Sequence, residues 1–169
     1  MAQELITVID FASPKSGARW RIVNDGVMGG LSQSQMSVTT EQTGVFQGTV
    51  SLENNGGFAS VRTEPADFGL APSKGLELRV RGDGKRYQLR LRTDRDWDGI
   101  AYRATFDTAD GEWTTIRLDF RDCIPSYRGR PVPSAPVLDP ARIRQIGFLI
   151  SDKQEGSFRL EVGSIKAYQ

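Results

Sequence analysis

Arginines recur at every second position in two neighbouring runs of this sequence: Arg79 and Arg81 in Gly75 to Arg81, and Arg90 and Arg92 in Tyr87 to Arg92. In a β-strand, successive side chains point to opposite faces. With Leu76, Leu78, Val80, Tyr87, Leu89 and Leu91 turned to a core, the other face carries Glu77, Arg79, Arg81, Gln88, Arg90 and Arg92. The spacing predicts an antiparallel hairpin turned by Gly82 to Arg86, with all four arginines on one face. Arg103 and Arg117 fall in the outward phase of later runs and widen that face if their strands are neighbours. A guanidinium presents a planar fork that fits carboxylate or phosphate. Close like charges cost energy unless acids, an anion or a partner offset them. Two readings stay open: an anion- or partner-binding sheet face, or a solvated face tied to Glu77, Asp119 and Glu161. Single-stranded nucleic acid would require exposed aromatics between the basic residues. Tyr87 and Tyr102 are in inward phase, so no nucleic-acid partner is expected.

Other chemistry is narrow. The chain has no histidine, which removes Ser-His-Asp and Cys-His arrangements and every imidazole metal site. Its one cysteine, Cys123, lacks the usual base of a thiol nucleophile and has no partner for an intrachain disulfide, which favours a reducing compartment. Among 21 carboxylates no spacing singles out a catalytic pair; the one cluster is Asp94-Arg95-Asp96-Trp97-Asp98. It reads either as an oxygen-ligand calcium loop or as a polar hairpin tip. No catalytic residues, metal or cofactor are expected. Trp20 and Trp113 are assigned to the core. Trp97 and Tyr127, in turn-rich stretches, are the surface aromatics that could stack on a sugar ring. Ser126 to Pro131 reads as a contact loop.

The elements that must position these residues are short. Leu5 to Phe11, Trp20 to Val23, Ser34 to Thr40, Val45 to Leu52, Phe58 to Arg62, Ile100 to Phe106, Trp113 to Phe120, Ile146 to Ser151 and Ser157 to Tyr168 all have strand character. Ile6 and Val8 are expected to face the core, and Phe11 is a further candidate. Arg121 to Pro140 holds five prolines and reads as irregular, with Asp139 capping one helical turn that has Pro140 at its first position. About ten short antiparallel strands with turn signals roughly every 8–12 residues, and very little helix, argue an all-β sandwich or barrel.

Size and charge agree with one domain over 1–169, which buries on the order of 70% of its unfolded surface. Net charge is +1, so no global field draws the chain to nucleic acid or membrane. Seventeen of the 22 basic residues are Arg, so local clusters matter more than the net charge. No run is long and apolar enough for a signal peptide or membrane span. The expectation is a soluble, cytoplasmic protein.

Two glycine-rich stretches punctuate the strands. The first follows Trp20: Asn24-Asp25-Gly26-Val27-Met28-Gly29-Gly30-Leu31-Ser32. The second is Asn54-Asn55-Gly56-Gly57-Phe58-Ala59-Ser60-Val61-Arg62. Asn-Gly and Asp-Gly pairs mark turns, and a simple hairpin needs one glycine rather than three. Trp20, Asn24 to Gly30 and Ser32 resemble the hallmark of the complex I intermediate-associated protein 30 (CIA30) family. Gly56 to Ser60 with Arg62 resembles its second signature. Gly82-Asp83-Gly84, a basic residue and Tyr87 resemble a third. The resemblance runs from Phe11 to Tyr168.

The resemblance implies a galactose-binding-domain-like jelly roll. It also implies a non-catalytic, chaperone-like assembly factor for a respiratory or photosynthetic membrane complex, peripheral to that complex in a bacterial or organelle-lineage cell, whose partner is a subunit or assembly factor of the complex. The implied contact surface is Asn24, Asp25, Gly26, Met28, Gly29, Gly30 and Ser32, with Gly57, Phe58, Ser60 and Arg62, joined by the face of Arg79, Arg81, Arg90 and Arg92. Met28 suits a soft apolar contact. Whether the Asn24–Gly30 loop is a contact or a structural corner stays open. The alternative is a carbohydrate-binding module of the same jelly-roll class, with a glycan as ligand.

Overall fold

The computed structural model describes residues 5–11, 20–96 and 98–169, apart from the side chains of Val27, Met28 and Asn55. Two antiparallel sheets face each other. One is built from β3 (Gln33–Val38), β4 (Gly44–Val50), β13 (Gly156–Tyr168), β6 (Gly75–Arg81) and β9 (Trp113–Asp119), in that spatial order. In it, β4 pairs the first half of β13, and β1 (Leu5–Ile9) takes over beside the second half. The other sheet runs β11 (Arg130–Pro131), β10 (Ile124–Tyr127), β8 (Ala101–Asp107), β7 (Arg86–Arg92), β12 (Gln145–Ile150), β5 (Ala59–Thr63), β2 (Trp20–Ile22). The only helical elements among the described residues are four short 3₁₀ turns. This is a β-sandwich, one of the two architectures the strand spacing argues for, in the galactose-binding-like jelly-roll form that the resemblance implies.

The core fills the space between the sheets because each strand turns one alternate set of side chains inward. Phe46, Leu76, Leu78, Val80, Leu160, Val162 and Ile165 come from the first sheet. Val61, Leu89, Leu91, Tyr102, Ile146, Phe148 and Ile150 come from the second. Phe158 bridges them, with its ring 4.9 Å from Phe46 and 6.4 Å from Tyr87. The Asp139 carboxylate caps the Pro140–Arg142 turn by accepting the Ala141 N–H, as expected.

Four expectations are corrected. The 75–92 stretch is not a hairpin: β6 pairs β13 and β9, whereas β7 pairs β12 and β8. The link between them crosses from one sheet to the other. Asp83 holds it there, accepting the Lys85 N–H and Tyr87 hydroxyl through Oδ1 and the Arg159 N–H through Oδ2. Alternation therefore gave the buried face of each strand correctly and its partner wrongly. In β1, which has a register shift between Thr7 and Ile9, Ile9 is buried and Ile6 is left 43% exposed, whereas Val8 packs against the core and Phe11 is buried in it, as expected. The proline-rich stretch contributes β10 and β11 at one margin of the seven-stranded sheet, with the two-residue β11 as the edge strand. Trp113 is not a core residue: it lies opposite Arg81 on an outer face, under the guanidinium groups of Arg79 and Arg81.

Candidate functional site

The two glycine signatures meet in one corner, built around a buried carboxylate. Asp25 opens a 3₁₀ turn (Asp25–Met28) and is fully buried. Its Oδ1 accepts the Ser32 N–H at 3.0 Å, and its Oδ2 accepts the Ser32 hydroxyl at 2.5 Å. Oδ2 also accepts the N–H groups of Gly57 at 2.8 Å and Phe58 at 3.3 Å. Burial pushes this carboxyl up, but the Ser32 hydroxyl and the three N–H donors outweigh it and hold it below the usual carboxylate range. The surplus glycines now have a cause. A Cβ on Gly30 would overlap the Asp25 carboxyl group, and one on Gly56 would press on Asp25 Oδ2 and the Ser51 carbonyl. Gly29 ends the turn at φ 86°, in the left-handed region. Gly26 and Gly29 face solvent. The expected Met28 contact falls on a side chain outside the described residues.

Asn24 continues the corner into the second sheet. Its Oδ1 accepts the Ser34 hydroxyl at 2.8 Å and the Ser60 N–H at 3.3 Å, and the Ser60 hydroxyl donates to the Val23 carbonyl. The corner thereby sets the course of β5, which carries Ser60 and Arg62 onto the outer face of the seven-stranded sheet.

That face holds a row of basic residues. Across neighbouring strands, Arg21 lies opposite Arg62, Arg62 opposite Gly147, Gly147 opposite Arg90, and Arg90 opposite Arg103. Gly147 supplies no side chain, and a Cβ there would overlap the Val61 carbonyl. The result is a depression of about 30 Å³ lined by Val23, Ser60, Arg62, Arg90, Arg92 and Gln145. Arg90 Nη2 donates to Ser126 Oγ at 3.2 Å, and Arg92 Nη1 to the Gly99 carbonyl at 2.8 Å. The Arg90 Nε is buried and meets no hydrogen-bond partner among the described residues. Arg90, Arg92 and Arg103 form no ion pair among the described residues. Burial, with the charges of Arg92, Arg103 and Arg62, pushes Arg90 down to about 10. Burial and the charges of Arg92 and Arg21, partly opposed by Asp94 and Asp98, push Arg62 down to about 10. Both stay cationic at neutral pH.

Arg79 and Arg81 are on the far side of the sandwich, and their charges are already engaged. Arg81 Nη2 meets the buried Glu161 Oε1 at 2.6 Å, and Thr43 donates to Glu161 Oε2 at 2.6 Å. Burial raises the Glu161 carboxyl, and the Thr43 and Arg81 hydrogen bonds with the Arg81 and Arg159 charges bring it below its ordinary value. Arg79 lies over Trp113 and donates to Thr115 Oγ1. Arg117 pairs with Glu77 at 2.9 Å. The four arginines expected on one face thus divide into a structural pair, Arg79 and Arg81, and a pair in the depression, Arg90 and Arg92.

The acidic loop reads as a polar tip. Asp98 Oδ2 accepts the Tyr127 hydroxyl at 2.9 Å and Arg128 Nη2 at 2.6 Å, and Asp94 Oδ1 accepts the Asp96 N–H. Among the described residues no group of three or more His, Cys, Asp or Glu is placed to hold a metal. Tyr127 is at the surface, as expected; Trp97 lies outside the described residues.

Sequence reasoning missed Gly147 and Gln145 and left Arg103 at the margin. The available signal was a lone glycine inside an apolar strand, Gln145-Ile146-Gly147-Phe148-Leu149-Ile150, which marks a close approach of neighbouring backbone.

Known proteins resemble this chain at two levels. The sequence pattern of the family described as Complex I intermediate-associated protein 30 (CIA30) matches residues 9–162. An uncharacterized protein of Schizosaccharomyces pombe is 30% identical over 168 residues, covering 88% of this chain and 77% of that one. A protein of Drosophila melanogaster named Complex I intermediate-associated protein 30, mitochondrial, is 24% identical over 181 residues, covering 94% of this chain. The chain spans only 61% of that relative's length. In structure, a family 11 carbohydrate-binding module from Clostridium thermocellum, solved with a β-1,3-1,4-mixed-linked tetrasaccharide, superposes with a TM-score of 0.70. It shares 15% identity over 99% of this chain and 96% of that one, which is a likeness of fold alone.

Proposed function

The chain belongs to the Complex I intermediate-associated protein 30 family, and on that premise we propose that residues 1–169 act as one non-catalytic binding unit in the assembly of a respiratory membrane complex. Its partner is a subunit or assembly factor of that complex, and the contact is between proteins at the membrane surface. No helix among the described residues is long and apolar enough to cross a membrane.

The observation that supports this reading is the arginine row beside the corner. The signature residues Asn24, Asp25, Gly30, Ser32 and Gly57 are spent on holding that corner, which orients β5. The residues offered to a partner are Arg90, Arg92 and Arg103 on the outer face of the seven-stranded sheet, beside the buried Arg62, with the exposed rim at Gly26, Gly29 and Leu31. Arginine is enriched at protein contacts because its fork binds several acceptors at little entropic cost. Among the described residues, the one aromatic lining the depression, Phe148, is only 1% exposed and gives a sugar no stacking platform there.

A tagged pull-down from solubilised membranes of the source cell tests the reading, with wild type beside Arg90→Gln/Arg92→Gln and Arg79→Gln. Recovery of membrane-complex subunits by wild type and Arg79→Gln, and their loss in the double variant, is expected. Recovery by all three moves the contact elsewhere, and recovery by none removes the assembly role.

A further inference from the structure

We infer that the depression over Gly147 receives a side-chain carboxylate from an acidic segment of a protein partner. This rests on the reading that the arginine row is the contact face, and adds what the face recognises.

Geometry supplies the first argument. Arg62 and Arg90 stand on either side of Gly147, one strand away in each direction, so their backbones are about 10 Å apart at the usual strand spacing. Gly147 itself puts no side chain into the gap between them. Two long guanidinium arms can converge over that gap on one small planar anion, and a space of about 30 Å³ suits a carboxylate head. The buried Arg90 Nε is a donor whose hydrogen-bond capacity is unmet among the described residues. Leaving such a donor unmet costs free energy that an incoming acceptor recovers.

Charge supplies the second. Arg90 faces Arg103 directly and has Arg92 and Arg62 as its other charged neighbours, all of one sign. Across the sandwich, the comparable arginines have Glu161 and Glu77 to offset them. On the seven-stranded sheet Arg90 and Arg103 have no ion-paired carboxylate among the described residues, and Arg92 has the charges of Asp94 and Asp98 nearby without an ion pair to either. A partner's carboxylate would take the place Glu161 takes on the other face. A sugar, being neutral, would leave the repulsion intact. Single-stranded nucleic acid would require exposed aromatics beside the arginines, and the one aromatic among the described residues lining the depression, Phe148, is buried.

The test is a titration of the arginine Nε–H signals, in a ¹⁵N-labelled sample of the full chain, with an acetylated hexaglutamate amide. Saturable shifts at Arg90 and Arg92, weakening steeply with added salt, are expected. Affinity should fall about tenfold or more in Arg90→Gln, the loss expected for one charged hydrogen-bonding partner. It should be unchanged in Arg79→Gln. If Arg90→Gln does not fold, Arg103→Gln at the rim carries the comparison, with a smaller loss expected. Absence of a saturable shift at millimolar peptide overturns the inference. So does tighter binding of inorganic phosphate or of an oligothymidylate at the same signals. Failure here with the membrane partner still lost in Arg90→Gln/Arg92→Gln would leave the contact face standing without its carboxylate. Peptide binding with the partner retained would do the reverse.

Discussion

The carboxylate of Asp25 accepts the backbone N–H of Gly57 at 2.8 Å, across 32 residues of chain, and so joins the two glycine signatures into one corner. Asp25→Asn keeps the shape but turns an amide N–H₂ toward backbone N–H groups that need an acceptor. Loss of a buried charged acceptor with several donors costs about 3 kcal/mol or more, which for a domain of this size lowers the Tm by roughly 6–12 °C. Thermal unfolding followed by circular dichroism checks it. A change within error would mean that the corner does not depend on this carboxylate.

The glycines of the first signature are not equivalent. Gly30→Ala places a Cβ into the Asp25 carboxyl group and should cost about 1–3 kcal/mol, the usual range for overpacking. Gly26→Ala meets nothing within 4 Å, and should shift stability by less than about 0.5 kcal/mol. Equal effects in urea unfolding would contradict the assignment of Gly30 to the corner.

Arginines on the two outer faces should respond differently to neutralisation. Arg81→Gln removes the main partner of Glu161, whose side chain is 2% exposed, and should destabilise by about 2 kcal/mol because a buried charge is left with weaker partners. Arg103→Gln relieves a like-charge pair with Arg90 and should leave the Tm unchanged or raise it. A fall in both would mean that Arg103 has a structural anion after all.

This division explains what the sequence made legible. Strand alternation placed Leu76, Leu78, Val80, Tyr87, Leu89 and Leu91 in the core and the arginines outside, because burial of one face is written in every second residue. Pairing is not written that way. Whether β6 lies beside β7 or beside β13 depends on contacts made about 80 residues along the chain, such as Arg81 with Glu161. The motif resemblance located Asn24 to Ser32 and Gly56 to Arg62, but their role as a corner required Gly57 to be seen against Asp25. The depression stayed hidden because its central residue, Gly147, contributes by having no side chain.

Acid should unfold the protein in a predictable range. Asp25 and Glu161 are both held below their ordinary values of 3.8 and 4.5. A carboxyl with a lowered folded value binds fewer protons when folded, so its contribution is complete above the ordinary value and is lost as pH falls through the folded one. With no histidine to titrate near neutrality, the Tm should be flat there and decline below about pH 4.5. Asp25→Asn should show a lower Tm at neutral pH and a shallower acid decline. A parallel decline in the two proteins would remove Asp25 from the account.

The thiol of Cys123 is buried, and burial first, then the charges of Asp122 and Asp119, pushes it up to about 12. The thiolate is the reactive form. Labelling with a disulfide reagent at mildly alkaline pH should therefore be slow in the native protein and fast in urea. Fast native labelling would show an opening at the Phe120–Asp122 turn.

The central claim is that the outer face of the seven-stranded sheet, not its opposite, meets the partner. A photo-crosslinking amino acid placed in the source cell at Thr105, exposed on that face, and separately at Thr115, exposed on the other, tests it most directly. The account predicts adducts from Thr105 that contain subunits or assembly factors of a respiratory membrane complex, and none of these from Thr115. The same adducts from Thr115 alone would contradict it.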